Sequence, residues 1–143
     1  MMTLRVRTGT RPVTDLTPAV AEFCAGRGDG LCHVFAPHAT AGLALIEIGA
    51  GSEQDLADAL SRLVPRDAPW RHRHGSPGHG ADHVLPALVA PFLVLAVRAG
   101  QLQLGTWQSV VLVDLNVDNL ERSVQLSFLG EPRTGGTGEP AAG

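Results

Sequence analysis

The chain has 143 residues, 44% hydrophobic and 17% charged, a composition that folds as one globular domain and excludes a disordered chain. Its 11 basic residues are all arginine and it has no tyrosine, which excludes lysine Schiff-base chemistry, a Walker lysine and a tyrosine nucleophile. A net charge of −3 argues against nucleic acid as a partner, since its binders carry a basic face.

Residues 3–7 alternate polar and apolar and predict a first strand. Thr17 before Pro18 predicts a helix start, with Thr17 as cap and proline at the first helical position. Val20, Phe23 and Cys24 share its inner face, and Gly26 and Gly28 end it. Residues 31–36 form a short apolar strand, and residues 40–47 a second one, entered through a turn at Pro37. Ser52 with Asp55 resembles a capping box at the head of a helix whose stripe is Leu56, Leu60 and Leu63. Pro65 stops it. Residues 65–82 then form a long structured loop, a length usually reserved for function. Residues 92–97 read as a buried strand, Ala99 and Gly100 as a hairpin turn into residues 101–105, and residues 107–115 and 123–129 as two more strands. Seven strands and two or three helices, with strands gathered toward the C-terminal end, predict an α+β fold of antiparallel sheets. One domain covers residues 1–131, and the Gly/Pro-rich tail 132–143 is expected to be disordered.

Cys24 and Cys32 are the only cysteines. Their spacing excludes a CxxC pair, and residues 1–11 hold no apolar leader, so buried reduced thiols in a cytoplasmic protein are expected. The longest apolar run, residues 84–97, is broken by Pro86 and Pro91 and cannot span a membrane.

Four of the six histidines, His72, His74, His79 and His83, lie within twelve residues. His72 and His74 share a face of an extended segment, and His79 and His83 share a face of a helix. Three imidazoles with an open position make a catalytic zinc arrangement, and Asp82 offers either a further ligand or an orienting partner. The bland alternative is a solvated Arg/His-rich loop, in which Arg71 and Arg73 alternate with the histidines. His38 stands at the mouth of a strand beside small residues and Thr40. Glu47, at the far end of that strand, reads either as a solvated terminus or as a base. In residues 100–108, GQLQLGTWQ, the glycines mark close approach. Trp107 reads as core, and Gln108 needs amide partners.

Taken together, His38-Ala-Thr40-Ala-Gly-Leu through Ile46-Glu47, Trp70-Arg71-His72, the glycine-rich stretch ending in His83, the 100–108 string, Arg122 and Gly130-Glu131 resemble the YjbQ family over residues 3–131. The resemblance implies an α+β sandwich forming a homotrimer with a pocket near the subunit interface. It implies pocket histidines at His38, His72 and His83, with Glu47 in a matching motif; on residue chemistry these three histidines would be catalytic and hold any divalent metal, zinc or magnesium, with Glu47 as base. Thr40, Arg71, Asp82, Thr106, Trp107 and Gln108 would contact a small-molecule substrate. It further implies thiamine-phosphate synthase-type transfer with release of pyrophosphate. The chain departs from the family pattern at Ala39, Ile46, Trp70, Ala81 and Leu85; the last stands where a lysine is usual. On residue types, a metal-dependent hydrolase or lyase and a non-catalytic trimeric binding protein stay open beside the transferase. Three expectations follow: His38, His72 and His83 converge on one pocket, His74 and His79 stand outside it, and the chain is a trimer.

Overall fold

Eight strands and four helices follow one another in a computed structural model that describes residues 1–130: β1 (Met2–Arg7), β2 (Val13–Asp15), α1 (Thr17–Cys24), β3 (Gly30–Phe35), β4 (Ala41–Ile46), α2 (Ser52–Leu63), α3 (His79–Asp82), α4 (Leu85–Leu88), β5 (Phe92–Arg98), β6 (Gln101–Leu102), β7 (Ser109–Asp114) and β8 (Glu121–Gly130). They form two antiparallel sheets, ordered β1-β8-β3-β5-β6 and β2-β7-β4. The α+β expectation holds. The tail 132–143 lies outside the described residues.

The valine-rich strand β7 explains the layering. Val110 to Val113 are all buried, and successive side chains leave a strand on opposite faces. Val110 and Leu112 pack into the core between the sheets, with Cys32, Val34, Leu95, Val124 and Leu126. Val111 and Val113 pack the other way, against Leu60 of α2 and Leu85 of α4. The smaller sheet is therefore a middle layer, with the larger sheet on one side and helices on the other. A strand covered on both faces shows no polar alternation, and β7 has none.

Several local expectations are corrected. Thr17 is the first helical residue, with Leu16 at the cap position, and its hydroxyl instead accepts the Val110 N–H at 2.9 Å. No capping box forms at α2, because Gly51 with φ 100° takes the cap position and Glu53 accepts the Gly49 N–H at 2.9 Å. Leu63 is 68% exposed, while Ala57, Leu60 and Val64 take the inner face. Strand β5 is buried on one face only: Leu95 and Val97 point in, and Phe92 and Val94 are exposed. The hairpin turn at Ala99 and Gly100 is present, but β6 stops at Leu102. Strand β7 starts at Ser109, and Trp107, expected in the core, is 72% exposed. The short β2 adds an eighth strand. Its residues 13–15 are too few for periodicity to show.

Cys24 and Cys32 are buried and unbridged, and burial, with Cys24 adjacent, pushes the Cys32 thiol up to about 12. Among the described residues no helix is long and apolar enough to cross a membrane.

Candidate functional site

The site is built from the segment between Pro65 and Leu85. Trp70 folds back, its indole N–H donating to the Pro65 carbonyl at 2.8 Å, and the chain then runs extended through His72 and His74. At Gly78, with φ 83°, it turns into α3. Gly80 lies so close to the outgoing segment that a Cβ there would stand 2.5 Å from Trp70 Cβ and 2.9 Å from the His72 carbonyl. Glycine is what lets α3 lie against the segment that carries His72 and His74.

That approach brings the two sequence pairs face to face. Ring centroids of His72 and His74 are 4.0 Å apart, those of His79 and His83 4.7 Å, and those of His72 and His83 4.2 Å. One ring nitrogen from each of the four lies within 4.8 Å of the other three. The Nε2 atoms of His79 and His83 are 2.9 Å apart. His72 and His74 are exposed, His83 is half-buried and His79 is buried. Desolvation, then the neighbouring imidazoles, lowers the pKa of both His72 and His83, which keeps nitrogen lone pairs free for a cation. The rings His72, His74 and His79 open onto a cavity of about 370 Å³, whose wall includes Trp70 and Arg73.

A polar layer stands behind the rings. Arg66 forms an ion pair with the buried Asp82 and donates to the Pro77 carbonyl at 3.0 Å. Asn116 donates to the other Asp82 oxygen at 2.9 Å. Asp118, just past β7, reaches His79 Nδ1 at 2.8 Å. The Ser76 N–H first, and His79 after it, hold the Asp118 carboxyl below its usual range.

The remaining expected residues lie elsewhere in the protomer. His38 is not part of the four-ring group. Its Nε2 sits beside the Ser123 backbone, 2.9 Å from N and 3.0 Å from O, and burial and then the charge of Arg122 lower its pKa. Thr40 is buried and accepts from Arg122 at 3.1 Å, while Arg122 grips Asp114 with two bonds of 2.6 and 3.0 Å. Glu47 is exposed at the end of β4. Gln108 accepts the Gly105 N–H at 2.9 Å across its own turn. Thr106, Trp107 and Arg71 are exposed and do not line the cavity. Asp82 takes the orienting place, not a ligand's, because its carboxylate is already bound to Arg66 and Asn116. The rings of His74 and His79, expected apart from those of His72 and His83, stand in one group with them. The sequence reading did not reach Arg66, Asn116 and Asp118. The one signal for Asn116 and Asp118 is the run Asn116-Val-Asp118-Asn119 after an apolar strand, which reads as a turn; Arg66 carries none.

The sequence matches a family described as UPF0047 protein YjbQ-like over residues 2–131. It is 63% identical over 126 residues to the UPF0047 protein Rv2556c of Mycobacterium tuberculosis, covering 88% of this chain and 95% of that one. Identity to the UPF0047 protein YugU of Bacillus subtilis is 30%, over 81% and 89% of the two chains. The fold superposes on the crystal structure of hypothetical protein APE1520 from Aeropyrum pernix with a TM-score of 0.83 at 31% identity, covering 91% of this chain and 98% of that one. With the fold, the order of its motifs and the match along nearly all of its length in agreement, the chain belongs to the YjbQ/UPF0047 family.

Proposed function

We propose that the protein binds a divalent transition-metal ion through His72, His74, His79 and His83 and uses it in hydrolysis or elimination on a small molecule held in the adjoining cavity. The observation that carries this reading is the four imidazole nitrogens within 4.8 Å of one another. Ligands about 2.0–2.1 Å from a tetrahedral ion stand about 3.3 Å apart. A small adjustment of the two exposed rings reaches that spacing. Imidazole suits zinc and its neighbours, whereas magnesium asks for oxygen ligands. Both nearby carboxylates are engaged, Asp82 by Arg66 and Asp118 by His79, so zinc-type chemistry is favoured over magnesium. A zinc ion held by the four rings would supply Lewis acidity and, on expanding to five-coordinate, would take a water and make it acidic enough to react near neutral pH.

Arg73, in the cavity wall, favours a substrate with an anionic group. It is also the feature that supports a diphosphate-releasing, thiamine-phosphate synthase-type transfer, and the screen below includes that reaction. A homotrimer is the proposed assembly, with Leu31, Phe92, Val94 and Leu129, all exposed, meeting copies of the same chain.

The test begins with metal analysis of the purified protein. One zinc per chain is expected, with loss of the ion in His72→Ala, His74→Ala, His79→Ala and His83→Ala alike. Phosphate esters, other esters and the diphosphate transfer are then assayed with and without chelator. A protein that neither carries zinc nor takes it up at micromolar concentration overturns the reading. Tight zinc binding with no turnover on any substrate class overturns the catalytic half and leaves a binding protein.

A further inference from the structure

We infer that Asp118 is a positioning residue: its carboxylate keeps the hydrogen of neutral His79 on Nδ1 and so leaves the Nε2 lone pair facing the other three rings. The inference rests on the metal-site reading above. His79 Nδ1 has two neighbours with opposite demands. Asp118 Oδ2, at 2.8 Å, can only accept a hydrogen bond. Asn116 Nδ2, at 3.1 Å, can only donate one. The Asn116 amide cannot turn over to resolve the conflict. Its oxygen accepts the backbone N–H groups of Asp118 and Asn119, both at 3.0 Å, and its nitrogen donates to Asp82 at 2.9 Å.

A single ring nitrogen satisfies one of the two neighbours. A bond to an ionised acceptor is about twice as strong as a neutral one, and the carboxylate is also the nearer group. Nδ1 therefore carries the hydrogen, and Nε2, the nitrogen 2.9 Å from His83, is the acceptor. A carboxylate behind an imidazole is the usual way a protein fixes a ligating histidine. Without Asp118, the Asn116 donor at 3.1 Å is the neighbour that remains within hydrogen-bond distance, since Asp82 Oδ2 stands 3.8 Å from Nδ1. That donor turns Nδ1 into the acceptor and moves the hydrogen to Nε2, into the space among the rings. Losing Asp118 thus switches the tautomer; it does not merely loosen the ring.

The experiment has two readouts on the full chain. In metal-free, ¹⁵N-labelled protein, long-range proton–nitrogen spectra report which imidazole nitrogen is protonated, with His79 assigned by its loss in His79→Gln. Nδ1–H is expected in the wild type, Nε2–H in Asp118→Ala, and Nδ1–H again in Asp118→Asn, which keeps an acceptor oxygen. In a Co²⁺ titration followed by visible absorption, Asp118→Ala is expected to bind 10–100-fold more weakly, and Asp118→Asn to recover part of that loss. An Nε2–H wild type, or an unchanged tautomer in Asp118→Ala, overturns the inference, as does equal Co²⁺ affinity in wild type and Asp118→Ala. A tautomer switch between wild type and Asp118→Ala, in a wild type that binds no Co²⁺, overturns the metal-site reading alone and supports the assignment of Asp118.

Discussion

Arg122 and His38 show what single buried groups do outside the histidine cluster. Arg122 and Asp114 are both nearly inaccessible to water and hold each other with two bonds. Removing one partner leaves the other charge buried and uncompensated, at about 3–5 kcal/mol. That is a large share of the 5–15 kcal/mol typical of a domain. Arg122→Ala is accordingly expected to lower the urea midpoint sharply, and Arg122→Met with Asp114→Leu to recover most of the loss; a midpoint unmoved by Arg122→Ala would contradict this. His38 makes stability depend on pH. Its folded pKa is depressed, so on acidification the unfolded chain takes up the proton first. Its contribution is complete above the unfolded value of about 6.5 and is lost as pH falls through the depressed folded value. His72 and His83 act in the same direction. His38→Gln should therefore reduce, without abolishing, the slope of stability between about pH 5 and pH 7.5, as read by urea unfolding at each pH. Equal slopes in wild type and variant would assign the effect elsewhere.

At the scale of elements, the sequence was legible wherever a local period decides the outcome. The two-residue period placed His72 with His74, the helical period placed His79 with His83, and the turn at Ala99 and Gly100 announced the hairpin. Features set by what an element meets were not legible. Leu63 fits the stripe of α2 but is its last residue and is exposed. Trp107 has the size of a core residue but precedes the strand it was assigned to. Asp118 is 42 residues from Ser76, whose N–H it accepts, and no spacing rule spans that gap. His38 was joined to His72 and His83 by resemblance and by its place at the edge of an element, and its ring turns to β8. One element carries strain that can be measured. Ala99 has φ 49°, the only residue other than glycine with positive φ among the described residues, and a left-handed conformation costs an alanine roughly 1 kcal/mol. Ala99→Gly is expected to hold or raise the melting temperature, although glycine in an ordinary position destabilises by roughly 0.5–1 kcal/mol. A clear drop would show that the hairpin draws on the Ala99 methyl group.

For the molecule as a whole, the larger sheet is covered on one face only among the described residues. Leu31, Phe92, Val94 and Leu129 alternate with core residues and remain exposed, with the His33 ring stacked 6.1 Å from Phe35 among them. An apolar patch of this kind on a small domain marks an interface. With a chain of 15.0 kDa, the proposed closed trimer has a mass of about 45 kDa. Sedimentation at micromolar concentration should give that mass for the wild type and a smaller one for Val94→Glu. A wild-type monomer would rule out the assembly, and a Val94→Glu trimer would move the interface to another face.

The position of β8 has a consequence for how the protein is made. It lies between β1 and β3, yet among the described strands it is the last to leave the ribosome. Arg5 waits through 116 residues for its partner Glu121, and such distant pairings slow folding. During synthesis the four histidines emerge before Asn116 and Asp118, the residues that decide how His79 presents its nitrogen. A nascent chain therefore exposes its imidazoles while their arrangement is still open, and a chain cut before residue 121 loses the seam of its larger sheet, not an edge. On the metal-site reading proposed above, the cation site is complete only after the chain has been made past β7.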